Sequence, residues 1–147
     1  MENLVIEPAV SPDGLARCLA IRDAVFTREK GVPKEIEVDG HDRLSDTCDH
    51  FLLCCAGNDV GAIRCLHTAP DTIRIQRFCF LRDCRGLGLG RAVMEHLESH
   101  YCALGVTQIV MDAKFEAAGF YEKCGYRRVS DIFTEAGIPH VKMEKTL

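Results

Sequence analysis

The sequence predicts a single α/β domain that covers residues 1–147. A chain of 147 residues, 47% of them hydrophobic, can bury one core of useful size. Short apolar runs of strand length alternate with segments whose apolar residues recur at helical spacing. The order is strand, helix, three strands, helix, strand, helix, two strands, and no repeat, low-complexity tract or linker interrupts it.

The N-terminal part predicts a strand followed by a long helix. Residues 4–8 are typical of a short edge strand that its proline closes. Ser11 is a suitable N-cap, and Pro12 is a suitable first helical residue. Apolar residues then recur at helical spacing to about Lys30, with Arg22 in the same series, and the following Gly-Val-Pro ends the helix.

Three hairpin-linked strands are predicted in the middle of the chain. They cover residues 51–56, 60–68 and 73–81, with turns at 57–59 and 69–72. Both faces of the third strand carry apolar and polar residues, which indicates that protein or ligand covers both.

The C-terminal half predicts two helices and three strands. A helix of about four turns begins near Leu89 and ends at Gly105. The remaining elements are a strand at 108–111, a helix at 113–124 capped by Asp112 and ended by Gly125, and strands at 126–132 and 140–145.

Composition disfavours several classes of function. The net charge is −4 at pH 7, so a nucleic-acid partner is not expected. No apolar run approaches the roughly 18 residues of a membrane span, and Met1-Glu2-Asn3 lacks the basic region of a signal peptide. The nine cysteines include no CxxC pair. We expect buried thiols in a cytoplasmic protein, with no metal site and no membrane contact.

The most informative segment is RGLGLGR, residues 85–91, here called the glycine loop. Three glycines at alternate positions leave the backbone bare, so that its amides can face one anionic group. The helix that follows adds free N–H groups and the positive end of its dipole. A P-loop lysine is lacking, and the loop does not follow the first strand as a dinucleotide fingerprint would. We expect the loop to bind a pyrophosphate.

Two motifs give the chain a resemblance to the GNAT superfamily of acyl-CoA-dependent N-acetyltransferases. Arg85-x-x-Gly88-x-Gly90 is similar to the family's R/Q-x-x-G-x-G/A, and residues 120–126 resemble its later F-Y-x-x-x-G-F/Y. Residues 77–81 take the position of the family's strand beside the pantetheine arm. The resemblance implies a mixed, mostly antiparallel sheet of about six to seven strands, with helices on both faces and a splay between the fourth and fifth strands.

Two further stretches resemble the ElaA/YjcF-like branch of this superfamily. One covers residues 25–33 with Glu37, Asp39 and Asp42, and the other covers residues 135–143. That branch has no agreed substrate. The resemblance therefore implies direct transfer of an acetyl group from acetyl-CoA to a primary amine, of a small molecule or a protein, and leaves the acceptor open.

The resemblance also implies roles for individual residues. Tyr121 would protonate the departing CoA sulfur, and the Phe80 amide would lie near the thioester oxygen. Lys123 would reach the CoA 3′-phosphate or only solvent, and Asp112 precedes a helix that often begins with a pantetheine-binding asparagine. The residues expected to bind acetyl-CoA are Phe78, Cys79, Phe80, Arg85, Gly86, Leu87, Gly88, Leu89, Gly90, Arg91, Phe120 and Lys123.

Six acids within fifteen residues mark the segment before the first hairpin strand. They are Glu35, Glu37, Asp39, Asp42, Asp46 and Asp49. They form either a solvated acidic loop or a wall that attracts a cationic acceptor, and the match to the branch favours the wall. Glu37 is the expected base, His140 is also assigned as catalytic, and His41 is an alternative. The residues expected to bind the acceptor are Phe26, Asp39, Asp42 and Arg77.

Alternatives to this function remain open. Phe26 with Glu37-x-Asp39-x-x-Asp42 also resembles the acyl-homoserine-lactone synthases, which lack the glycine and F-Y motifs. A non-catalytic CoA-binding module is another. A route through an acetylated cysteine, Cys79 or Cys84, is a third, but no obvious base adjoins either in sequence. A homodimer is possible because dimers are common in the superfamily.

Overall fold

The computed structural model describes residues 3–147. Met1 and Glu2, part of the segment examined for a signal peptide, lie outside the described residues. Within the described chain, none of the helices combines the length and the apolar character that a membrane span requires.

Eight strands and four α-helices make up the regular structure of residues 3–147. The strands are β1 Leu4–Pro8, β2 Cys48–Cys55, β3 Asn58–Ala69, β4 Thr72–Phe80, β5 Gln108–Lys114, β6 Arg127–Arg128, β7 Phe133–Glu135 and β8 Ile138–Thr146. The α-helices are α1 Pro12–Arg22, α2 Lys34–Glu37, α3 Leu89–Ala103 and α4 Ala118–Lys123. A π-helical segment, Asp23–Glu29, and two 3-10 turns, Arg82–Cys84 and Phe115–Ala117, complete the list.

The chain groups into two compact units. The first comprises the chain up to Leu66 together with Arg77–Leu89, and the second comprises His67–Gln76 and Gly90–Leu147. The prediction of a single domain stays a prediction, and the two units are described separately.

In the first unit, α1 packs its apolar face against the antiparallel strands β1, β2 and β3. Helix α1 begins as predicted, because the Ser11 hydroxyl accepts a hydrogen bond from the Gly14 amide at 3.1 Å. The core that this packing buries consists of Ala9, Cys18, Ile21, Val25, Leu52, Cys54, Ala62 and Cys79. Burial of these side chains is the main favourable contribution to the stability of the unit.

The long N-terminal helix changes its geometry after Arg22. The predicted helix extends to Glu29, but its last seven residues have π-helical geometry. The Lys30 amide donates to the Val25 carbonyl at 3.1 Å, which is the i→i−5 spacing of a π-helix. Apolar periodicity predicted the length of this helix but not the change of pitch, because both geometries keep similar residues on the buried face.

In the second unit, β5 and β8 form the central pair. They are antiparallel from Gln108 opposite Thr146 to Lys114 opposite His140. The short strands β6 and β7 pair with different parts of β8, where the sequence predicted one strand over 126–132. Helix α3 ends before Gly105, whose φ of +89° is the left-handed conformation expected after a helix.

The sheet order is β1-β2-β3-β4-β5-β8-β6, with β7 paired to β8. Strands β4 and β5 pair in parallel, and their register covers Thr72–Arg74 opposite Gln108–Val110 although both strands continue further. The predicted fold class is therefore confirmed: a mixed, mostly antiparallel sheet with helices, splayed between the fourth and fifth strands.

The first hairpin turn lies earlier than predicted. Ala56 and Gly57 both have positive φ, at +50° and +82°, as a two-residue hairpin turn of type I′ requires. Strand β3 therefore begins at Asn58, inside the predicted turn of residues 57–59.

The helix predicted at 113–124 begins later in the structure. Strand β5 continues to Lys114 because each of its residues pairs with β8, and α4 starts only at Ala118. Asp112 is a strand residue rather than a helix cap, and its carboxylate contacts Arg74 at 3.4 Å and Lys142 at 3.2 Å.

Candidate active site

The glycine loop has the backbone that an anion site needs. Gly86 and Gly88 have φ of +76° and +77°, in the left-handed region that glycine adopts without steric cost. Leu89 is buried and starts α3, whereas Leu87 keeps 56% exposure. Left-handed residues at alternate positions allow successive amides to turn toward one side, and the N-terminus of α3 follows at once. This local geometry fits the diphosphate of CoA.

Phe120 packs on the first turn of α3. A Cβ atom placed on Gly90 would lie 3.0 Å from the Phe120 ring, so a larger residue here would require that ring to shift by a few tenths of an ångström. Phe120 also contacts Tyr121 in an edge-to-face arrangement at 5.0 Å between ring centroids. Gly90 of the first sequence motif and Phe120 and Tyr121 of the second therefore lie together within the second unit.

Arg85 is held by a carboxylate. Its two terminal nitrogens each donate to Glu29 at 2.7 Å, and its Nε donates to the Phe80 carbonyl at 2.9 Å. Hydrogen bonds from Arg85 lower the pKa of Glu29 to about 2. Arg91, by contrast, is 64% exposed and lies 3.9 Å from Glu95. A bound diphosphate would compete with Glu29 for Arg85, whereas Arg91 is open to solvent.

The acidic segment is part of a network of charges in the first unit. We call it the ion-pair cluster. It consists of Arg22, Glu37, Asp39, Asp42, Arg64 and Arg77. These residues come from α1, α2, the loop after α2, β3 and β4, so the cluster exists only when the unit is folded.

Arg22 and Arg64 form the buried interior of the ion-pair cluster. Arg22 contacts Asp42 at 2.6 Å and Glu37 at 2.8 Å. Arg64 contacts Asp39 at 2.8 Å and Asp42 at 3.0 Å. Both arginine side chains are 1% exposed and the Asp42 side chain is 0% exposed.

The balance of charges keeps Asp42 ionised. Burial alone would raise the pKa of the Asp42 carboxyl. Hydrogen bonds from Arg22 and the Asp39 amide, with the charges of Arg22 and Arg64, hold that pKa below its ordinary value. Burial would raise the pKa of the Asp39 carboxyl as well, but hydrogen bonds and a neighbouring positive charge hold that pKa below its ordinary value.

Arg77 and Asp39 are the members of the ion-pair cluster that reach solvent. Their side chains are 27% and 35% exposed, and their charged groups are 3.5 Å apart. Arg77 Nε also contacts Glu37 Oε2 at 2.9 Å. Arg77 has a φ of +55°, which is rare for a residue other than glycine in a strand.

This network differs from the acidic wall predicted from the sequence. Glu37, Asp39 and Asp42 are neutralised by arginines, so they do not form an open negative surface. Asp42 has no exposed surface for a direct contact with an acceptor. The sequence did contain a signal for a buried ion pair, because Arg22 stands in the apolar series of α1.

Strand β4 contributes aromatic rings and a buried thiol. The Phe78 and Phe80 rings contact each other at 5.6 Å between centroids. Cys79 is buried, and burial raises the pKa of its thiol to about 12. A thiol protonated at neutral pH is a poor nucleophile, so an acetyl-Cys79 route is disfavoured. Phe26, the aromatic residue predicted to bind the acceptor, is half-buried against the core of the first unit.

Tyr121 is buried in the second unit. Burial raises the pKa of its phenol, which therefore stays protonated at neutral pH. Tyr126 contacts it edge-to-face at 5.9 Å between centroids and donates its own hydroxyl to Glu98 at 2.9 Å. Among residues 3–147, none forms a side-chain hydrogen bond with the Tyr121 hydroxyl.

His140 and Lys123 lie in different surroundings of the second unit. His140 is buried on β8, with Nδ1 2.7 Å from the Ile138 carbonyl and Nε2 4.0 Å from Glu135. Since a carbonyl only accepts, this contact fixes the proton on Nδ1 and leaves Nε2 as an acceptor when the ring is neutral. Lys123 is exposed at the end of α4. Within the described residues, no group of His, Cys, Asp or Glu has a metal-binding arrangement.

Comparisons with known proteins agree with the sequence motifs. A family model described as an acetyltransferase (GNAT) domain matches residues 26–147. The uncharacterized N-acetyltransferase YjcF of Bacillus subtilis is 32% identical over 138 residues, covering 93% of this chain and 96% of YjcF. A protein from Lactobacillus plantarum described as a candidate N-acetyltransferase has a TM-score of 0.91 at 31% identity over 99% of both chains. Escherichia coli ElaA has a TM-score of 0.83 at 25% identity, also over 99% of both chains.

Proposed function

We propose that this chain, which belongs to the GNAT family of acetyltransferases and to its ElaA/YjcF-like branch, acetylates a primary amine with acetyl-CoA. The observation that carries the proposal is the glycine loop. Its left-handed glycines at 86 and 88 lead directly into the N-terminus of α3, which suits a diphosphate.

The proposed reaction is a direct transfer. The amine nitrogen attacks the thioester carbonyl carbon, so that a C–N bond forms and the C–S bond breaks. The sulfur leaves as a thiolate that takes up one proton, and the amine loses one. The chain must therefore bind the diphosphate, remove a proton from the amine and supply a proton to the sulfur.

Tyr121 is the proposed proton donor. Its phenol is protonated at neutral pH, since the ordinary pKa of tyrosine is about 10 and burial raises it further, and no described residue uses the hydroxyl proton in a side-chain hydrogen bond. A Tyr121→Phe variant removes this proton while keeping the ring. We expect it to lower kcat about 100-fold or more and to leave acetyl-CoA affinity nearly unchanged.

Glu37 and His140 are the proposed proton acceptors. The side-chain hydrogen bond from Arg22 and the ion-pair contacts of Arg22 and Arg77 go to Oε2 of Glu37, and Oε1 is the oxygen proposed to accept an N–H of the amine. His140 offers Nε2. Separate Glu37→Gln and His140→Gln variants distinguish the two, because only loss of the true base removes the acidic limb of the pH profile of kcat/KM.

The residues proposed to bind CoA are those of the glycine loop, the β4 residues 78–80, Phe120 and Lys123. Arg91 is the side chain of the loop that is open to an anion. The main-chain amides of the loop carry the binding, so substitution of Arg91 should weaken CoA affinity less than a change of the loop backbone.

The experiment that tests the function has two stages. Thermal unfolding with and without acetyl-CoA comes first, because a ligand at a hundredfold excess over its Kd stabilises the folded protein by about 2.7 kcal/mol. A panel of primary amines with detection of free CoA thiol follows. Acetyl-CoA binding with amine-dependent thiol release supports the proposal, binding without release identifies a non-catalytic CoA module, and absence of binding rejects it. S-adenosylmethionine in the same panel tests the lactone-synthase alternative.

A further inference from the structure

The ion-pair cluster buries charged groups that the stability of the core does not require. Three arginines and three acids balance one another formally, and Arg22, Glu37, Asp42 and Arg64 are almost completely buried. Replacing such groups by apolar residues of similar volume often leaves stability unchanged or improved. The buried members therefore need another explanation, and we find it in how they orient Arg77 and the Glu37 carboxylate.

The buried members orient Arg77 and Glu37. Arg22 uses Nε and both terminal nitrogens on Glu37 and Asp42, which fixes the Glu37 carboxylate. Glu37 in turn receives Arg77 Nε through both its Oε2 and its main-chain carbonyl, at 2.9 and 3.2 Å. The guanidinium of Arg77 is thus oriented by Glu37, which Arg22 itself keeps in place.

Two functional groups of this arrangement have no partner among residues 3–147. Arg77 uses Nε and NH2, and its NH1 donates to none of the described residues. Glu37 is 3% exposed, and its Oε1 accepts from none of them. A cationic donor and an anionic acceptor therefore remain open on two residues that are in direct contact.

We propose that the acceptor is an α-amino acid or a closely similar small molecule, whose carboxylate binds Arg77 while its amine binds Glu37 Oε1. A carboxylate and an amine on one carbon match a guanidinium and a carboxylate that touch. An amine without a carboxylate would leave the Arg77 guanidinium without an anionic partner. An acid without an amine would place its carboxylate next to the carboxylates of Glu37 and Asp39. This inference rests on the proposed function, since it names the acceptor class of the same reaction.

The first test compares matched acceptors with the wild-type protein. Each pair consists of an amino acid and its decarboxylated amine, such as phenylalanine with phenethylamine and methionine with 3-(methylthio)propylamine. The amino acid amide is the third member, and it represents a protein N-terminus. We expect kcat/KM to be about 10- to 100-fold higher for the amino acid, the range for one hydrogen bond to a charged group.

The outcomes separate the two proposals. Equal or faster acetylation of the decarboxylated amines or the amides overturns the amino-acid inference and leaves the acetyltransferase proposal intact. Failure of every acceptor, with acetyl-CoA bound, overturns both.

The second test uses Arg77→Gln with Arg74→Gln as the matched control. Both arginines lie on β4 and are similarly exposed, at 27% and 31%, but Arg74 contacts Asp112 in the second unit. We expect Arg77→Gln to raise KM for the amino acid about 10- to 100-fold more than KM for the decarboxylated amine. Arg74→Gln should change neither, and Arg77→Lys should recover part of the preference.

A merely structural Arg77 would give a different result. Its loss would then lower turnover of the amino acid and of the amine by the same factor, and the ratio between them would stay at the wild-type value. Calorimetric titration with CoA checks that each variant is folded, because the glycine loop does not include Arg77.

Discussion

The glycine loop and the ion-pair cluster reach their geometry in opposite ways. The loop is seven consecutive residues whose proposed binding groups are main-chain amides, with left-handed φ at two glycines. The cluster is six side chains from five segments, joined across 15 to 40 positions of sequence. The difference shows that a backbone site can be recognised from local sequence, whereas a side-chain site depends on which partners folding brings together.

The two regions should also fail in different ways. A change in the ion-pair cluster leaves buried charges without partners, so it should act on the stability of the first unit. A change in the glycine loop should cost no more stability than the local backbone strain that it introduces, and it should in addition weaken the binding of CoA.

The largest expected effect is that of Arg22→Met. Removal of the guanidinium leaves Glu37 and Asp42 as uncompensated buried carboxylates, and we expect the free energy of unfolding to fall by about 3–5 kcal/mol. Urea denaturation measures this. The control is Arg28→Met, since the Arg28 side chain is 79% exposed, and its effect should stay within about 0.5 kcal/mol.

A similar free energy of unfolding for the two methionine variants would show that the buried ion pairs do not stabilise the first unit. If Arg22→Met instead keeps its stability but loses CoA affinity, the distinction between the two regions is wrong.

Acid should unfold the protein through the ion-pair cluster. The folded-state pKa of Asp42 lies below the value of about 3.9 for an unfolded aspartate, so the folded state binds fewer protons. The stabilisation is complete above about pH 5 and is lost as the pH falls through the folded-state pKa, by about 1–3 kcal/mol. Glu29 acts in the same direction, from its ordinary pKa down to about 2.

The unfolding free energy measured in urea between pH 7 and pH 2.5 checks this prediction. Asp42→Asn should start less stable and show a flatter pH dependence, because the titrating group is gone. Asp13→Asn, at a side chain that is 82% exposed, should keep the slope of the wild type. If the unfolding free energy of Asp42→Asn depends on pH as steeply as that of the wild type, the loss of stability in acid comes from other carboxylates.

Gly86→Ala and Gly57→Ala form a matched pair for the glycine loop. Both glycines have a left-handed φ, +76° and +82°, and an added Cβ meets nothing within 4 Å at either site. The strain of about 1–2 kcal/mol should therefore appear in the stability of both variants. Only Gly86→Ala should also weaken acetyl-CoA binding, by about 5- to 30-fold, as the same strain reorients the amides.

Calorimetric titration with acetyl-CoA measures the affinities of both variants. Equal affinity of the two for CoA would contradict the assignment of the loop as the diphosphate site, whatever their stabilities.

The smallest expected effect concerns Glu29, which holds Arg85 at 2.7 Å. Glu29→Gln releases the guanidinium toward a diphosphate and removes a neighbouring negative charge. Because the pair is accessible to solvent, we expect only a tightening of CoA binding of about two- to fivefold, and less at high salt. Asp23→Asn, which breaks the Asp23–Arg28 pair instead, is the control. Weaker binding in Glu29→Gln would make Glu29 a support of the loop rather than a competitor.

Local signals predicted much of the fold. The Ser11 cap, the length of the first helix and the stop of α3 at Gly105 each depend on neighbouring residues, and each was found. The start of α4 was misplaced because β5 continues to Lys114 through pairing with β8. The pattern of residues 113–117 does not contain that information, since pairing with a distant strand decides it.

The sequence by itself determined the glycine loop, because glycines at fixed spacing before a helix restrict the backbone through local sterics alone. It also determined the family, through motifs whose residues are close together in the chain. Only the tertiary structure decided the state of the acids. Arg22, Arg64 and Arg77 come from separate elements, and their arrival converts a predicted acidic surface into a neutral cluster with one open donor and one open acceptor. Charge is a property of a residue, but its partner is a property of the fold.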